Sequence, residues 1–185
     1  MANKLLCCEI LRTEIEQLLK GKNVEIHYLE AGLHADLKKL EHSIKTTLEN
    51  IGNDKDVLLG FGTMCHPEME LIAANYGKNT LQAKNCIEML LGDKLKELDA
   101  QSRTFYITSG WLENWRKIFI EQLKWDSIDA RQNFGFYDRI LLLDTGLSPL
   151  EDEQILEFFE YTQVPIEIMP IDLDNLRNLL FANLD

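Results

Sequence analysis

Nothing in the 185 residues approaches the roughly 20 consecutive apolar side chains that a membrane-spanning helix needs. A leader pattern is missing too, since Met-Ala-Asn-Lys runs straight into a short strand-like segment. These two absences predict a cytoplasmic protein with no membrane partner. Positive charge is scarce: 19 Lys and Arg face 31 Asp and Glu, for a net charge of −12. A nucleic-acid partner needs a basic surface that neutralises phosphates, so no nucleic acid is expected to bind, and anionic membrane surfaces are disfavoured likewise. The less acidic stretch carrying Lys117, Lys124, Arg131 and Arg139 does not read as a groove. Also absent are a phosphate-binding G-x-x-x-x-G-K-[ST], a G-x-G-x-x-G after the first apolar run and a G-x-S-x-G elbow, which argues against nucleotide and serine-nucleophile chemistry. There is no C-x-x-C pair, no low-complexity segment, no heptad array and no short repeat.

What is present is ordinary globular composition, 45% hydrophobic and 27% charged. The length predicts one domain over residues 1–185, with two similar halves meeting near 126–137, the least regular stretch and the best candidate for a functional loop. Apolar runs alternate with amphipathic ones, the pattern of an open, mostly parallel α/β sheet with helices on both faces. About seven strands are expected, from KLLCCEI, VEIHYLE, DVLLGFG, NTLQA, RTFYITSG, RILLLDTG and VPIEIMP. Leu33, Leu37, Leu40, Ile44 and Leu48 recur at helical spacing and predict a core-facing stripe. Asn85 is a plausible N-cap for a helix that starts near Cys86.

In such sheets ligands bind outside the carboxyl ends of the strands. Cys7 or Cys8 falls at the end of the first strand, His34 just after the second, Cys65 and His66 after the third, and Cys86 after the fourth. Four consecutive strands each deliver a soft ligand to one rim. Zinc takes thiolates and imidazoles in tetrahedral arrays, so Cys8, Cys65 and Cys86 form a candidate metal set, with His34 or His66 as the fourth ligand. The same cysteines could instead hold an iron–sulfur cluster or act in redox chemistry, or simply fill space as buried thiols. Cys7 and Cys8 point to opposite faces of a strand, which leaves Cys7 to the core. Glycines follow three apolar strands, at Phe61-Gly62, Ser109-Gly110 and Thr145-Gly146, where a backbone can approach a ligand closely. Gly62, Gly110 and the adjacent Trp111 are therefore candidate substrate contacts, although Trp111, Trp115 and Trp125 with Phe119 also read as helix packing.

LLCCEILRTEI, GFGTMCHPE, NCIEMLLG and TFYITSGWLENW together resemble the prokaryotic family known as domain of unknown function 1638, over about residues 4 to 170. Thr104 to Trp111 is the most specific piece. The resemblance implies a cysteine at Cys8, a Leu-His pair at Leu33-His34, and cysteines at Cys65 and Cys86, while Lys84 stands where members often carry histidine. Members often lie beside genes for corrinoid-dependent methyltransferases. That context implies a metal-dependent methyltransferase acting on a thiol or a methyl donor, corrinoid handling, or a non-catalytic accessory role beside a corrinoid methyltransferase.

Overall fold

The computed structural model describes residues 3–52 and 57–184. The chain alternates strand and helix as expected: β1 (Lys4–Cys8), α1 (Arg12–Leu18), β2 (Glu25–Leu29), α2 (Leu37–Ile51), β3 (Val57–Gly60), α3 (Met69–Asn75), β4 (Asn79–Thr80), α4 (Cys86–Leu91) and α5 (Lys94–Asp99). It continues with β5 (Thr104–Thr108), α6 (Ser109–Trp115), α7 (Ser127–Phe134), β6 (Arg139–Asp144), α8 (Asp152–Thr162), β7 (Ile166–Pro170) and α9 (Asp174–Phe181). Single 3-10 turns follow β1 and β2, at Glu9–Leu11 and Ala31–Ala35. A π-helical segment, Arg116–Gln122, extends α6.

The fold is open α/β with parallel strands, but the seven strands form two sheets rather than one, in the orders β2-β1-β3-β4 and β5-β6-β7. In the first sheet the chain leaves β1 in opposite directions to reach β2 and β3. The strand order reverses between β1 and β3, and a crevice opens there.

Strand alternation divides the core. Leu5, Cys7 and Leu58 point into a large cluster shared with Ile140, Leu142 and Phe158 of the second half. Leu6, Val57 and Leu59 point the other way, onto Leu40, Ile44 and Leu48 of α2 and Met69 and Ile72 of α3. The α2 stripe is shorter than the spacing suggests. Asp36 accepts the Lys39 N–H and starts the helix at Leu37, so Leu33 lies in the preceding 3-10 turn and Leu37 is exposed.

Residues 126–137 are more regular than expected and do not divide the sheets. They hold α7, whose start is a capping box: Asp126 accepts the N–H groups of Ile128 and Asp129, and Asp129 accepts that of Asp126. The change of sheet falls between β4 and β5. Among the described residues, no helix is long and apolar enough to cross a membrane.

Candidate functional site

β1 ends at Cys8, whose sulfur accepts the Ile10 N–H at 3.5 Å and opens the Glu9–Leu11 turn. The neighbouring strand β2 runs into the Ala31–Ala35 turn, which is tied back to the first by the Ala31 N–H donating to Glu9 Oε1 at 2.8 Å. That tie brings His34 Nδ1 to 3.7 Å from Cys8 Sγ, and the same nitrogen lies 3.2 Å from the Ala31 carbonyl. Ligating histidines characteristically give one ring N–H to such a carbonyl.

Cys65 and Cys86 reach the same place because two loops press together. The N–H groups of Thr63 and Met64 donate to the carbonyls of Ala83 and Lys84, both at 2.9 Å. Gly62 makes this possible, since a Cβ there would fall far inside 3.0 Å of the Lys84 and Asn85 backbone. Asn85 then caps α4, accepting the Glu88 N–H at 3.0 Å, and fixes Cys86 as the first helical residue.

Cys8, His34, Cys65, Cys86 and Gly62 line one small cavity, closed by Ile10, Ile15, Phe61 and Met89. Its volume of about 20 Å³ leaves room for one atom-sized occupant. The cavity lies at the β1/β3 reversal, and all four donor residues are half-buried. Burial raises the Cys8 and Cys65 thiols and pushes Cys86 up to about 12, with the neighbouring thiols adding to the rise for Cys8 and Cys86. Burial also lowers His34. Without a counter-cation, the cavity therefore holds neutral thiols and a neutral imidazole at pH 7.

Among the described residues, no group of three or more His, Cys, Asp or Glu side chains already stands in metal-holding geometry. The donor chemistry nevertheless fits a soft ion. With Nδ1–H given to the Ala31 carbonyl, Nε2 of His34 is the nitrogen left to take a metal beside the thiolates.

The remaining sequence candidates fall elsewhere or at the margin. His66 is buried, accepts the Glu68 N–H on Nδ1 at 3.0 Å and does not line the cavity. Cys7 is fully buried and its thiol is raised by desolvation. Gly110 sits where α6 crosses the first half, and a Cβ there would strike the Ile10 carbonyl. Trp111 packs its ring 6.0 Å from that of His34, and its side chain lowers the Cys86 thiol against the larger effect of burial. The second half thus covers the thiol cluster of the first, which strand-by-strand reading did not show.

No curated protein matches the chain. A solved structure described as "Crystal structure of sugar transporter from Clostridium phytofermentans" is similar over 93% of this chain and 81% of that one, at 9% identity and a TM-score of 0.37, too distant to carry over any property. Residues 28–180 match the family described as Protein of unknown function (DUF1638), and with most of its length inside that match the chain belongs to this family.

Proposed function

We propose that this chain binds a single soft metal ion, zinc foremost, through Cys8, Cys65 and Cys86 with His34 as the fourth donor. The supporting observation is the convergence of these four side chains on one cavity of about 20 Å³ at the strand-order reversal. Zinc held there would keep its thiolates deprotonated at neutral pH and could activate a thiol that replaced the weakest ligand. His34, the one uncharged donor beside three thiolates, is the ligand that an incoming thiol would replace. The Ile10 N–H donates a hydrogen bond to the Cys8 sulfur, which favours its ionised form. Activation of a thiol suits methyl transfer to or from it, the context implied by the family resemblance.

The small cavity favours a mononuclear ion over an iron–sulfur cluster, which needs room for several atoms. An accessory role beside a corrinoid methyltransferase is the second reading. It is favoured by Met64, a large apolar side chain 71% exposed immediately before Cys65.

Elemental analysis with an absorption spectrum on anaerobically purified protein tests the proposal, with one equivalent of a colourless metal expected. Cys65→Ser and Cys86→Ser should lose most of that metal while keeping the fold. Cys7→Ser should retain it but lose about 1–3 kcal/mol of stability by burying a hydroxyl. Wild-type protein that carries no metal and binds none on titration overturns the proposal in favour of the accessory reading.

A further inference from the structure

A second cavity lies away from the thiol cluster, walled by Phe105 of β5, Phe119 of the π-helical segment, Trp125, Asn133 and Phe134 of α7, and Tyr137. Its volume is about 170 Å³, comparable with the roughly 150 Å³ apolar cavity known to take up benzene. The rings brace one another. Phe105 meets Phe134 edge-on at 4.9 Å and Tyr137 at 5.2 Å, and Phe119 stacks on Trp125 at 5.7 Å. The cavity is thus formed before any ligand arrives.

The backbone around it is unusual in two independent ways. Arg116–Gln122 is π-helical, a rare geometry concentrated at functional sites. Two residues after it Lys124 adopts φ 60°, a left-handed conformation costly for a residue with a side chain. The two irregularities let the Trp125 N–H donate to the Phe119 carbonyl at 2.9 Å, which aligns the stacked rings of the wall. On the other side the capping box at Asp126 and Asp129 sets the start of α7, and with it Asn133 and Phe134.

We propose that this cavity binds a small neutral aromatic molecule of about one ring bearing a hydrogen-bond donor, a phenol-like ligand. The walls supply ring faces and edges, and no charged side chain lines the cavity although the chain carries a net charge of −12. A carboxylate would therefore enter without a cation to pair with. The polar edge is Asn133. One Nδ2 hydrogen goes to the Asp129 carbonyl at 2.8 Å, which leaves Oδ1 to accept from the ligand and the second Nδ2 hydrogen to donate to it. A phenolic hydroxyl, which both donates and accepts, matches that amide edge, and a plain hydrocarbon ring matches neither part of it. The assignment is independent of metal binding at the thiol cluster.

Calorimetric titration of the full chain with phenol, toluene and benzoate tests it. Phenol should bind with one-to-one stoichiometry, toluene about tenfold more weakly for want of one hydrogen bond, and benzoate more weakly still. Asn133→Leu, at an exposed position that leaves the core intact, should reduce phenol affinity about tenfold to the level of toluene and leave toluene unchanged. Asn133→Trp should fill the cavity and abolish both, with an unchanged circular-dichroism spectrum showing that the fold persists. Absence of saturable binding by phenol and toluene up to about 10 mM, phenol binding that survives Asn133→Trp, or benzoate binding as tightly as phenol overturns the proposal.

Discussion

Gly62→Ala is the sharpest probe of how the thiol cluster is assembled. The added methyl would sit against the backbone of Lys84 and Asn85, not against a side chain that can swing away. Ordinary contact begins at 3.4 Å, so the two loops must part by roughly 1 Å. That movement strains or breaks the Thr63–Ala83 and Met64–Lys84 hydrogen bonds, at about 1 kcal/mol each, on top of about 1–3 kcal/mol for overpacking. A total near 3–5 kcal/mol lowers Tm by roughly 6–20 °C for a chain of this size. The larger consequence is positional. Metal ligands must hold within about 0.2 Å of ideal distances, and the displaced loops carry Cys65 and Cys86. Metal affinity should fall about 10–100-fold, the range seen when the support of a ligand is lost. Thermal unfolding of the metal-free protein and competitive zinc titration measure the two effects. Gly77→Ala is the control, because Gly77 has φ 62° but open space around its missing Cβ, so it should lose stability without losing metal affinity. A Gly62→Ala protein with wild-type Tm and wild-type zinc affinity refutes the account of the loop contact.

Three further outcomes are expected. Glu14 is buried against Thr145, which donates to its Oε1 at 3.1 Å, and burial raises its carboxyl above the ordinary 4.5. The folded state therefore holds that proton more tightly than the unfolded chain, so its contribution is fully present below pH 4.5 and is lost as pH rises through the folded value. Glu14→Gln should be the more stable protein at pH 7–8 and lose that advantage near pH 4, as denaturant unfolding at the two pH values will show. His34→Ala should lower zinc affinity with little change in unfolding, whereas His66→Ala should leave zinc affinity intact and cost about 1 kcal/mol through the lost acceptor for the Glu68 N–H. In the metal-free protein, Trp111→Phe removes the indole N–H that helps to lower the Cys86 thiol, so alkylation of Cys86 at pH 8–9, followed by peptide mass, should slow; an unchanged rate removes Trp111 from the site.

Strand and helix types were legible because a sheet buried on both faces requires continuous apolar runs, and those runs are distinct in LLCC, VLLG and ILLL. The carboxyl-end placement of Cys8, Cys65 and Cys86 follows from the same reading, since a residue's position at a strand end is local information. The α7 helix was legible in principle through Asp126 and Asp129, but its weak apolar pattern made the stretch look irregular. Other features depended on contacts distant in sequence. The division of the strands into two sheets is decided by hydrogen-bond pairing between segments tens of residues apart, which no local pattern encodes. The choice between His34 and His66 was equally closed to the sequence: both follow strands, but only the 3-10 turn held by Glu9 swings His34 toward Cys8, while His66 turns inward and accepts the Glu68 N–H. The aromatic cavity exists only because a π-helical segment and α7 bring Phe119, Trp125, Phe134 and Tyr137 onto Phe105, rings separated by up to 32 residues of chain. Residue chemistry and strand-end position were thus set locally, and which of those residues meet was decided by the tertiary packing of one half of the chain on the other.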